Sequence, residues 1–159
     1  MTLTEFLAVW GAIFSSGAIA WNVIRDLRDR ADLQLSVMIG HLSRHPTTGQ
    51  MMFMRATRRE EATHFIVQVT NHGRRAALVT KLFLRWPNDP SVGLILPRTL
   101  PKPLRENDFA IEYTEIEGPV DPGIERVFAV DSTGKEWDLS KKQLQQLRDD
   151  VKSLGLLAG

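Results

Sequence analysis

The stretch whose reading decides the fold is FIVQVTNHGRRAALVTKLFLRW, Phe65 to Trp86. Its first half alternates. Phe65, Val67 and Val69 fall on one side, and His64, Gln68 and Thr70 on the other, the period of two expected of a half-buried strand. Ile66 mildly interrupts the pattern. Asn71-His72-Gly73 then forms a turn from residue types that tolerate positive φ. The returning run puts Leu78, Leu82, Leu84 and Trp86 on one face and Val79, Lys81, Phe83 and Arg85 on the other. Two such runs across a polar turn predict an antiparallel hairpin at the centre of a β domain.

Working outward, Leu33, Leu35, Val37 and Ile39 share a face of a first strand, and Pro46 and Gly49 mark the loop after it. MMFMRATR (51–58) reads as a second strand, and GLILP (93–97) as a short apolar one. Prolines 97, 101 and 103 predict an extended connection kept out of any sheet interior. In Asp108–Ile116, Phe109, Ile111 and Tyr113 oppose Ala110, Glu112 and Thr114. Ile124–Val130, the turn DSTG and KEWDL form a closing hairpin, with Trp137 and Leu139 expected inward. Ser140 and Gln143 have capping-box spacing. Leu144, Leu147, Val151 and Leu154 follow on one helical stripe, and Gly155 suits the position just past the helix end.

At 159 residues the chain has room for one domain with a substantial core. Its 43% hydrophobic and 25% charged content is that of a folded protein. The net charge of +1 gives no global pull toward nucleic acid, and the absence of cysteine excludes thiolate catalysis, disulfides and cysteine zinc sites.

Phe6 to Ile24 holds no charged residue and has the length of a membrane-spanning helix, with Arg25, Arg28 and Arg30 just beyond it. The expectation is a single-pass inner-membrane anchor whose following domain lies in the cytoplasm by the positive-inside rule. A helix packed on the domain and a cleaved signal peptide are the competing readings. Ala8, Ala12, Ser16 and Ala20 recur every four residues and form a candidate helix-association face, through which the chain would self-associate. The expected layout is therefore mainly β: residues 1–31 a membrane anchor and short stalk, 32–139 an immunoglobulin-like antiparallel β-sandwich, and 140–159 an amphipathic helix packed on it.

About seven short strands separated by proline and glycine turns suit an immunoglobulin-like or fibronectin-like sandwich. VQVTNHGRRAALVTKLFLRW, LPKPLRENDFAIEY and VFAVDSTGKEWDL resemble segments of bacterial sandwich domains of that kind. With the anchor helix in front, the layout is similar to uncharacterised bacterial single-pass membrane proteins with a cytoplasmic immunoglobulin-like domain. The antibody-type cysteine pair is missing, and no functional residue transfers with the resemblance.

Four histidines, His41, His45, His64 and His72, have no accompanying HExxH motif or compact carboxylate cluster, so no metal or cofactor is expected. GxSxG, P-loop and GxGxxG motifs are absent, and Glu112 and Glu115 read as solvent-facing strand residues, so an enzyme is not expected. Charge is segregated. Bases dominate from Arg74 to Arg105 and acids from Glu106 to Glu125, which predicts cross-strand pairing between the blocks. Arg74, Arg75 and Arg85 are the candidate contacts for an anionic ligand or lipid. The leading functional expectation is a non-enzymatic, membrane-anchored adaptor that binds a protein partner and no nucleic acid. A ligand-responsive effector with self-associating helices is the alternative, and an enzyme the remainder.

Overall fold

A computed structural model describes residues 2–87, 93–95 and 98–156, without the side chains of residues 5, 8, 9, 27, 28 and 93–95. In chain order the elements are α1 (Leu3–Arg28), β1 (Leu33–Arg44), β2 (Met51–Arg55), a 3-10 turn (Arg59–Glu61), β3 (His64–Asn71), β4 (Ala77–Arg85) and β5 (Gly93–Ile95). They continue with β6 (Lys102–Leu104), β7 (Phe109–Glu115), β8 (Arg126–Asp131), β9 (Glu136–Asp138) and α2 (Lys141–Ser153). A four-stranded sheet runs β2-β1-β3-β7; a five-stranded sheet runs β5-β4-β8-β9, with β6 also on β4. Every pairing is antiparallel. One core fills the space between the sheets, Leu35, Ile39, Val67 and Val69 from the first meeting Val79, Leu82, Val127 and Ala129 from the second. Leu147 and Val151 bring α2 onto the same core. Ser140 caps that helix, its Oγ accepting from Gln143 N at 3.3 Å, and Gly155 takes the left-handed φ of 64° after it.

The stretch 65–86 is not a hairpin. β3 and β4 belong to different sheets, and the turn between them is a corner crossing the core. Asn71 makes that corner. Fully buried, it spends both ends of its amide: Oδ1 accepts from Asp32 N and Gly73 N, and Nδ2 donates to Arg75 O and Leu104 O. A buried polar side chain is tolerated when every group is so matched.

The faces of β4 also differ from simple alternation. Ala77 and Val79 point inward, yet so do Leu82 and Leu84, because a bulge between Val79 and Lys81 shifts the phase by one residue. Leu78 is consequently 38% exposed. Thr80, at the bulge, donates its hydroxyl to Val130 O at 2.9 Å. Ile66, the interruption in β3, faces away from the core yet is only 1% exposed, because Met38 and Tyr113 flank it in the two neighbouring strands. β6 contains Pro103 and, among the described residues, pairs with β4 only, so the proline connection does touch the sheet, but at an edge. Pro97 lies outside the described residues.

The membrane span is overturned. Among the described residues no helix is long and apolar enough to cross a membrane, and the single-pass inner-membrane location and cytoplasmic orientation inferred from a span go with it. α1 is long, about 39 Å at 1.5 Å per residue. Its apolar residues are diluted by Gly11, Ser15, Ser16, Gly17 and Asn22, and the uncharged run is bounded by Glu5 and Arg25. Ser15 turns its hydroxyl back onto Gly11 O at 2.8 Å, satisfying itself within the helix. Nor do the described apolar side chains of the helix pack on the sandwich, as the competing reading supposes: Trp10, Phe14, Ile19 and Trp21 are all exposed.

Candidate functional site

The residues singled out by sequence occupy separate places. Arg74 lines an open cleft of about 360 Å³ with Trp21, Ile24, Arg25 and Asp29 at the foot of α1. Arg75 lies beside it, 3.7 Å from Asp26 in an exposed ion pair. Arg85 ends β4, facing Glu125 at 3.8 Å. Eight residues of strand separate Arg85 from the start of β4, roughly 26 Å, so the three guanidinium groups do not converge. On α1 the side chains of Ala12, Ser16 and Ala20 are exposed, and that of Ala8 lies outside the described set. Among the described residues no group of three or more His, Asp or Glu side chains is placed to hold a metal ion.

The acidic and basic blocks pair across neighbouring strands at Arg85 and Glu125, beside the β4–β8 ladder, while β4 and β7 lie in opposite sheets. Glu112 carries the main contact. It lies on the core face of β7, fully buried, contrary to the solvent-facing expectation. Its carboxylate accepts from Arg98 N (2.6 Å), Thr99 N (2.7 Å), Leu100 N (2.9 Å) and the Thr99 hydroxyl (2.5 Å). A carboxylate has lone pairs for all four donors, so the group acts as a fastener for the proline-rich connection. On the other face of β7 the Arg98 guanidinium sits 4.3 Å from the Tyr113 ring centre and donates to its hydroxyl at 2.9 Å. His64 packs edge-on to the same ring. Burial holds its imidazole below the ordinary value, Glu115 pulling the other way and Arg98 reinforcing the shift.

Among the described residues Asp131 is the third buried polar side chain. Oδ1 accepts from Thr133 N, Thr133 Oγ1 and Lys135 N, and Oδ2 from Trp137 Nε1, which closes the β8–β9 turn. Burial opposes its charge, but the bonds from Thr133, Trp137 and Lys135 outweigh that and hold the carboxyl below its usual range. Asn71, Glu112 and Asp131 thus have their acceptors filled by the protein's own donors.

What stays open is an edge. β2 pairs with β1 and, among the described residues, with nothing on its other side. The ladder's phase is fixed at its two ends, where His45 N donates to Gln50 O at 2.8 Å and Ala56 N to Ile39 O at 2.9 Å. Hydrogen-bonding direction alternates along an antiparallel strand, so residues 50, 52, 54 and 56 bond to β1. The N–H and C=O groups of Met51, Phe53 and Arg55 therefore face outward. The side chains there are unusually apolar: Met51, Met52 and Met54 are 49%, 41% and 46% exposed. Phe53 is better held, its ring centre 5.7 Å from that of Tyr113, and Arg55 reaches Asp150 of α2 at 2.6 Å. Sequence reading found the strand but not its openness, because whether a strand lies at an edge depends on which distant segments pair with it. Compared with known proteins, the chain matches no family model and no curated relative.

Proposed function

We propose that this protein is a non-enzymatic interaction module that receives an extended segment of a protein partner along β2. The observation that supports this is the open edge itself: outward-facing backbone groups at Met51, Phe53 and Arg55, flanked by exposed methionines. An added strand gains its affinity from main-chain bonds and its selectivity from alternate side chains. Methionine suits such a surface, since its flexible thioether adapts to different apolar neighbours. The carboxylates that could have served chemistry are instead engaged in holding loops. The alternative of a ligand-responsive effector loses the convergence it needed once Arg85 is separated from Arg74 and Arg75.

The test is a displayed library of short peptides selected on the full chain. Binders should be extended, alternate apolar side chains, and lose binding to Phe53→Pro, which removes an outward N–H and none of the bonds to β1. Met51→Pro, at the strand's first residue, should weaken the same peptides without disturbing Phe53. Selected peptides indifferent to both prolines would sink the edge reading.

A further inference from the structure

The edge is self-complementary, and we infer that its partner is a second copy of this chain, joined β2 to β2 in antiparallel register about a two-fold axis at Phe53. This rests on the edge reading above and adds the identity of the occupant. In that register the sum of paired residue numbers is constant: Phe53 meets Phe53 of the second copy, Met51 meets Arg55, and Met52 meets Met54. The outward-facing residues 51, 53 and 55 then pair only with one another, so each outward N–H and C=O finds a partner. The side chains match as well. Phe53 lies beside its equivalent on the face that carries Tyr113, and the exposed Met52 and Met54 cover each other on the opposite face.

Charge agrees with this register. Arg55 is the only ionisable residue in β2, and it falls opposite Met51 instead of its own copy, while Asp150 already balances it within the chain. Among the described residues, the exposed large apolar side chains of the sandwich are Met51, Met52, Met54, Leu78 and Phe109. Three of those five lie in this one strand, and the two-fold arrangement covers all three. The two four-stranded sheets would become one continuous sheet, a closed isologous dimer with no further β2 edge to propagate.

The chain has no cysteine, so introduced thiols report the register directly. Residues 52 and 54 of opposite copies would form a non-hydrogen-bonded pair with Cα atoms about 4.5 Å apart, and 53 with 53 a hydrogen-bonded pair about 5.5 Å apart, both within disulfide reach. Residue 52 would stand about 8 Å from its own copy, beyond that reach. Full-length Met52→Cys chains mixed with Met54→Cys chains should therefore crosslink under a mild oxidant, each variant alone should not, and Phe53→Cys should crosslink with itself. The mixed pair replaces exposed methionines only, so it remains readable if Phe53→Cys destabilises the fold. Met52→Cys linking to itself as well as the mixture does, or no link in the mixture, overturns the dimer. If the dimer fails while selected peptides still depend on Phe53, the edge takes a different chain; if both fail, the edge reading falls with it.

Discussion

β2 and β9 both lie at sheet edges, and they are finished in opposite ways. β9 is three residues long and carries Glu136 and Asp138, both held by Arg126, whose guanidinium also lies 4.3 Å from the Phe128 ring centre. Between them Trp137 donates its indole N–H to Asp131 at 3.0 Å, and Lys135 Nζ sits 3.5 Å from its ring centre. A short strand dense in charge is a poor template for another strand. β2 is longer, has one charge, and shows methionine on both faces. The same fold thus protects one edge and leaves another available, so the open edge is a local choice of residues and not a general property of the sheets.

The largest way to break the contrast is at the turn supporting β9. Asp131→Ala removes the acceptor of four hydrogen bonds and should cost about 3 kcal/mol, read by denaturant unfolding. The sign of its pH dependence follows from the depressed carboxyl. Asp131 stabilises the fold fully above the unfolded aspartate value of about 3.9, and that contribution is lost as pH falls through the lower folded value. The gap between parent and variant should therefore narrow below about pH 4. A constant gap down to full acid unfolding would show that the turn works by shape instead of charge. Arg126→Ala is milder, about 1 kcal/mol, since the ion pairs are partly exposed, and added salt should shrink it. Arg126→Ala unfolding at the parent's denaturant midpoint would show β9 held by its turn alone. The smallest stability effect sharpens the comparison from the other side. Met54→Lys gives β2 the charge that β9 has; it should shift stability by less than about 0.5 kcal/mol, yet abolish peptide capture at that edge. Undiminished capture by a normally folded Met54→Lys would separate binding from β2.

These contrasts also show which parts of the molecule sequence could reach. Strand runs such as 33–39 and 109–115 are legible because burial imposes a period of two, 126–131 because a short apolar run is followed by the turn DSTG, and α2 because Ser140, Gln143 and Gly155 mark its ends. The partner of each strand was not legible. β3 and β4 look like a hairpin because a corner between sheets uses the same turn residues, and only the crossed connections of Asn71 separate the two cases. The bulge at Thr80 is equally silent, one residue inserted among aliphatics that are apolar on either face. Glu112 misled for a different reason: a carboxylate on a strand reads as solvent-facing, and the three consecutive backbone donors that bury it come from a loop distant in sequence. The absence of charge between residues 6 and 24 points to a span in α1 only if its glycine, serine and asparagine are underweighted.

The corner at Asn71 has a mechanical consequence for α1. Asp32 N and O bond to Asn71 Oδ1 and His72 N, 39 residues from Asp32 to Asn71 along the chain, so the exit of the helix is stitched to the end of β3. Gly73 presses against the same exit: a Cβ there would stand 2.2 Å from Arg30 O and 2.4 Å from Asp32 N, distances no side chain can occupy. Residues 30–32, which lead from α1 into β1, are therefore seated against this corner. Asn71 also donates to Leu104 O in β6, so the link between α1 and β1 is tied to strands of both sheets at one residue.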